Sequence, residues 1–177
     1  MAPRNALPHH ARSASVPGIR GVATVTSALV MRAPAHVVYA FLSRLPNHGL
    51  ITGRRLRLES VTADGMGARI AMRGPLGIRR TARTCVTDLH PPRGFGGTAA
   101  VGRRTEAYVQ WTIERAGTGS LVTLTATIFR AGALDRLLLT LGGRRWLARS
   151  FDRALVLLAV AMESALDTGE PCARMAG

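Results

Sequence analysis

The chain of 177 residues contains no lysine, only two cysteines and few aromatic side chains, 5% of the total. All 24 of its basic residues are arginine, against 10 acidic ones, for a net charge of +14. A lysine-free basic set in an alanine- and glycine-rich chain reads as coding bias rather than as selection for charge. Its physical consequence stands all the same, because arginine stays charged and binds carboxylate or phosphate in a two-pronged fork. Cys85 and Cys172 are too few and too far apart for a disulfide framework or a metal motif, which fits a reducing, cytoplasmic setting. The longest unbroken apolar run, Ala154–Met162, is nine residues, whereas a membrane-spanning helix needs about 20. The scarcity of aromatics argues against a base-stacking platform for nucleic acid. No G-x-S-x-G, C-x-x-C, H-E-x-x-H or phosphate-loop pattern occurs. What is plentiful is apolar residue, 47% of the chain, which is the composition of a globular domain rather than a disordered one.

The ends differ from the middle. Residues 1–20 carry Arg4, Arg12 and Arg20, three prolines and no acid, and read as a disordered basic extension, with a transit peptide as the alternative. Residues 168–177 read as a flexible tail. Between them, 21–167 reads as one domain. It opens with the β-branched run 22–31. Pro34 then suits the first turn of a helix over 34–45, where Val37, Val38, Phe41, Leu42 and Leu45 recur at helical spacing. Pro46-Asn47 ends it, and one more short turn falls within 47–52.

From there the period is two. Leu56 and Leu58 alternate with arginines, and Asp64-Gly65 marks a turn. Met66, Ala68, Ile70 and Met72 form one face of a strand, and 78–89 forms another strand. Pro91-Pro92 and the glycine-rich 94–97 read as a loop. Ala107, Val109, Trp111 and Ile113 alternate with Glu106, Tyr108 and Gln110, a parity that sets these polar residues toward solvent. Val122, Leu124, Ala126 and Ile128 follow after a glycine turn. Residues 133–166 are helical, broken at Gly142-Gly143. Runs of strands separated from helices define an α+β class with an antiparallel sheet. A sheet with one apolar face needs a cover, and the terminal helix, roughly 35 Å long at 1.5 Å per residue, is the element long enough to provide it.

The segment Ala33-Pro34-Ala35-His36-Val37-Val38-Tyr39-Ala40-Phe41-Leu42, the following Leu45-Pro46-Asn47-His48, and the late hairpin of Tyr108–Ile113 and Val122–Thr125 resemble the START-like ligand-binding superfamily (SRPBCC), in its polyketide cyclase/dehydrase and lipid-transport group. The resemblance covers about residues 21–166. It implies a helix-grip fold: a curved antiparallel sheet of about six or seven strands wrapped around a long C-terminal helix, with two short helices after the first strand. It further implies an internal hydrophobic cavity. Three functions stay open: a carrier or binder of a small hydrophobic ligand such as a lipid or polyketide, a polyketide cyclase or dehydratase using the same cavity, and a basic nucleic-acid-binding module. Fold alone does not choose among them.

The apolar parity set expected to converge between sheet and helix is Met66, Ile70, Met72, Val109, Trp111, Ile113, Leu124, Ile128, Phe151, Leu155 and Leu158. Most of these residues must be ordinary core. The resemblance turns some of them into ligand-lining positions, with Met72 and Trp111 preferred for their adaptable or amphipathic side chains. No catalytic residue, metal site or cofactor is assigned. His36, His48 and His90 lack ligand spacing, and no carboxylate pair is forced together. The row Arg145, Arg149, Arg153 reads first as a solvated helix face. Its functional reading is docking of an acidic protein, such as an acyl carrier protein, or of an anionic membrane surface. Specific nucleic-acid binding is not expected, and a monomer and a homodimer are equally compatible.

Overall fold

The structure is a computed structural model and describes residues 21–53, 56–74 and 77–167. The expectations for 1–20 and 168–177 lie outside the described residues. Seven strands form one antiparallel sheet: β1 (Ala23–Met31), β2 (Leu56–Val61), β3 (Gly67–Arg73), β4 (Arg79–His90), β5 (Gly94–Val101), β6 (Thr105–Ala116) and β7 (Gly119–Arg130). Their spatial order is β1-β7-β6-β5-β4-β3-β2, so β2 to β7 form a meander and β1 closes on β7. Between β1 and β2 lie two short helices, α1 (Ala35–Leu42) and α2 (His48–Ile51), joined by a single tight turn at Leu45–Asn47. Pro34 stands at the N-cap of α1 in extended conformation, where its missing N–H costs no helical bond. After β7 come α3 (Ala133–Leu138), a kinked turn over Leu139–Gly143, and α4 (Arg144–Asp167) of 24 residues. The kink falls at the double glycine, with Gly142 at φ +107°, a conformation that a β-carbon would disfavour.

The solid core sits at one end. Phe151, Leu155, Leu158 and Met162 of α4 pack with Val38, Phe41 and Leu42 of α1, Ile51 of α2, and Val25, Met31, Ile113, Val122 and Leu124 of the sheet. At the other end the inner face of the sheet is built of small residues. Ala68, Ala82, Gly97, Ala99, Ala107 and Ala126 occupy inward positions on five successive strands, and all are buried. Side chains this short cannot reach the helix.

The glycine-rich 94–97 is not a loop. The turn is confined to 91–93, and Gly94–Gly97 opens β5, all four residues buried. The composition that argues for a loop reflects close approach of strands instead. A β-carbon on Gly97 would stand 2.0 Å from the Cys85 carbonyl oxygen, and one on Gly96 would collide with the Tyr108 phenol at 2.3 Å. Tyr108 therefore folds down over Gly96 on the outer face. It is half-buried rather than free in solvent, and its hydroxyl donates to Asp88 Oδ2 at 2.8 Å. Desolvation, then the bond to Asp88, pushes the phenol up to about 12. Glu106 keeps the outward parity expected of it and meets Arg130 at 3.2 Å.

Candidate ligand cavity

Where the short side chains leave the sheet unsupported, a cavity of about 310 Å³ opens between β2–β7, α2, α3 and the first half of α4. That volume lies at the lower end of the range for small-molecule sites. The wall is almost entirely apolar. Of the residues expected to line such a space, Ile70, Met72, Val109, Trp111, Leu124, Ile128 and Phe151 are on the wall. Met66, Ile113, Leu155 and Leu158 are not. Met66 precedes β3, and Ile113, Leu155 and Leu158 are spent in the solid core, exposed by 2% or less. Parity and helix face select the correct side of each element but not the position along it.

Two polar clusters interrupt the apolar wall, and neither has a spacing signature. The first lies at the α2 end. The His48 ring is 6.0 Å from the Trp111 ring and 6.1 Å from Phe95, and the Phe95 and Trp111 rings stack 6.5 Å apart with Tyr39 edge-on to Phe95. His48 Nε2 lies 2.8 Å from the Leu42 carbonyl oxygen at the end of α1. A carbonyl only accepts, so Nε2 carries the hydrogen and donates. Burial holds the His48 pKa below its usual value, outweighing that bond, so the ring is neutral at pH 7. His48 is half-buried and lines the cavity. The second cluster lies at the α3 end. Arg80 of β4 and Thr105 at the start of β6 both donate to the Asp135 carboxylate of α3. All three residues line the cavity, and together they tether α3 across it. The ion pair is about four-fifths buried. Asp135 satisfies both donors, so this end carries little net charge.

Among the described residues no group of three His, Cys, Asp or Glu side chains could hold a metal ion, and no helix is long and apolar enough to cross a membrane. Arg145, Arg149 and Arg153 are all exposed on α4. A second basic surface was not apparent from the sequence. The outer face of β2–β4 carries Arg57, Arg69, Arg73, Arg79 and Arg83, all exposed, and the register sets Arg69 opposite Arg83 and Arg73 opposite Arg79. Of these, Arg69 is paired, with Glu59 at 3.0 Å.

A curved antiparallel sheet closed by one long helix around an apolar cavity is the helix-grip architecture of the START superfamily. Residues 22–163 match the family described as polyketide cyclase / dehydrase and lipid transport, and the chain belongs to that family. Among solved structures it is similar to the KanY protein, at 21% identity and a TM-score of 0.68 over 81% of this chain and 99% of that one. It is also similar to the Zhui aromatase/cyclase from Streptomyces sp. R1128, at 13% identity and a TM-score of 0.62 over 81% and 95% of the two chains. A START superfamily protein from Mycobacterium smegmatis follows at 12% and 0.57 over 80% and 97%. No curated protein sequence matches it significantly. At these identities the structural likenesses carry the fold alone.

Proposed function

We propose that the protein binds a small hydrophobic ligand, a lipid, polyketide or similar compound, in the cavity between the sheet and α4, as a carrier or binding protein. The observation that carries this reading is the row of alanines on the inner face of β3–β7. A core under selection only for stability would fill that space, since each cavity left in a core costs stability. Here five inward positions, Ala68, Ala82, Ala99, Ala107 and Ala126, one on each of five strands, stay small together. The family description, with lipid transport among its activities, supports the same reading.

A cyclase or dehydratase is the second reading, favoured by one observation: the wall holds ionisable groups, namely His48, Arg80 and Asp135. Arg80 and Asp135 are committed to one another, which leaves His48 as the group available for proton transfer. The outer arginine face of β2–β4 would attract polyanions, nucleic acid included. Those strands place no aromatic side chain beside the arginines, so such binding would be salt-sensitive and indifferent to sequence.

The test is native mass spectrometry of the purified protein with extraction of any bound small molecule, followed by titration of the extracted compound. Trp111 reports directly, because its indole lines the cavity. Trp146 lines it as well, so the titration uses a Trp146→Phe background. Binding should shift or quench the emission and add about 2.7 kcal/mol of stability at a hundredfold excess over Kd. If no member of a broad panel of fatty acids, sterols and aromatic polyketide mimics changes either signal, the cavity is not a ligand site.

A further inference from the structure

The described histidines differ sharply in setting. His36 and His90 are exposed, whereas His48 lines the cavity within the ring cluster of Phe95 and Trp111. Its Nε2–H is used by the Leu42 carbonyl, which fixes the tautomer and leaves Nδ1 as a pure acceptor. Among the described residues no group bonds Nδ1, yet no fully enclosed side-chain nitrogen or oxygen there lacks a partner. Nδ1 therefore keeps open surface on a residue that lines the cavity.

A wholly apolar ligand would seal this lone pair without a donor, and an acceptor group on the ligand would face it unfavourably. A hydroxyl would satisfy it. The surrounding rings define the rest of the ligand. Phe95 and Trp111 lie within 29° of parallel, and His48 stands edge-on to Trp111 at 75°, an arrangement that favours stacked or edge-to-face contact with another ring. The Arg80–Asp135–Thr105 cluster is internally satisfied and presents no comparable free acceptor.

We propose that the cavity selects a compact aromatic or polycyclic ligand bearing a hydroxyl group, and that this hydroxyl donates a hydrogen bond to Nδ1 of His48. The inference rests on the reading of the cavity as a ligand site and adds a specificity determinant to it. Leaving a buried acceptor unpaired costs about tenfold in affinity.

The full-length protein is titrated calorimetrically at pH 7.5 with 2-naphthol and with 2-methoxynaphthalene, which keeps the rings and lacks the donor. The naphthol should bind about tenfold more tightly than the ether, and His48→Phe should abolish that preference. Equal affinities in the parent protein, or a preference that survives in His48→Phe, would overturn the proposal while leaving the cavity a binding site. If neither compound binds the parent, the proposal falls, while the reading of the cavity as a ligand site stands or falls with the broad panel of fatty acids, sterols and polyketide mimics. Should the variant not fold, nitrogen-15 NMR of the parent decides: naphthol, and not the ether, should move the His48 Nδ1 resonance, and a resonance unmoved at saturation refutes the hydrogen bond.

Discussion

Enlarging Ala99 tests the cavity by the sign of a stability change. Ala99 sits in the middle of β5 with Thr84 opposite it on β4 and Ala107 on β6, and all three line the cavity. A leucine there has short neighbours on both sides and open space above. Three added carbons, at about 0.8 kcal/mol for each buried CH2, stabilise by at most ~2.4 kcal/mol. Loss of rotamer freedom takes back about 0.5–1 kcal/mol, leaving a gain of roughly 1.5 kcal/mol. In a domain of this size that is a rise in Tm of about 3–6 °C. Ala33→Leu is the control. Ala33 is 1% exposed, belongs to the solid core and lies off the cavity wall, so the same chemical change should cost about 1–3 kcal/mol by overpacking. Urea unfolding of both variants gives the two signs, and titration with any ligand of the parent should show binding lost in Ala99→Leu. If Ala99→Leu is destabilised as much as Ala33→Leu and still binds like the parent, the space is not a cavity and the argument from short side chains is wrong.

Two further outcomes follow from the outer face and from strand packing. Tyr108 is protonated in the folded chain up to about 12 against about 10 when unfolded. Its contribution is therefore complete below pH 10 and is lost as the pH rises from about 10 toward 12; Tyr108→Phe should flatten that part of a stability-against-pH curve measured by denaturant unfolding. Gly97→Ala sets a methyl group 2.0 Å from the Cys85 carbonyl oxygen, and since backbone must move to admit it, thermal unfolding should register a loss of about 3 kcal/mol or more; a change under 1 kcal/mol would mean that β4 and β5 separate freely there.

Much of the fold is legible in the chain. Alternation over 106–113 and 122–128 sets the inward faces of β6 and β7, helical spacing with Pro34 sets α1, and the double glycine divides α3 from α4. These are local properties: period, caps and turns act within a few residues, so they survive reading one residue at a time. The glycines of 94–97 mislead for the same reason, because what requires them is the Trp111 carbonyl, the Tyr108 ring and the Cys85 carbonyl, which belong to other strands. The cavity is also non-local. An inward alanine in one strand means nothing by itself; it becomes a void only when Ala68, Ala82, Ala99, Ala107 and Ala126 are laid side by side by the sheet register and α4 is held off by its packing at the other end. His48 carries no motif, and its chemistry arises from burial, from the carbonyl of Leu42 and from rings contributed by β5 and β6. Asp135 meets Arg80 across 55 positions of sequence. The linear chain thus determined which face of each element is apolar and in what order the elements come, whereas only the tertiary packing decided where apolar faces meet and where they fail to, since contact between distant segments is set by register and side-chain length summed over several strands.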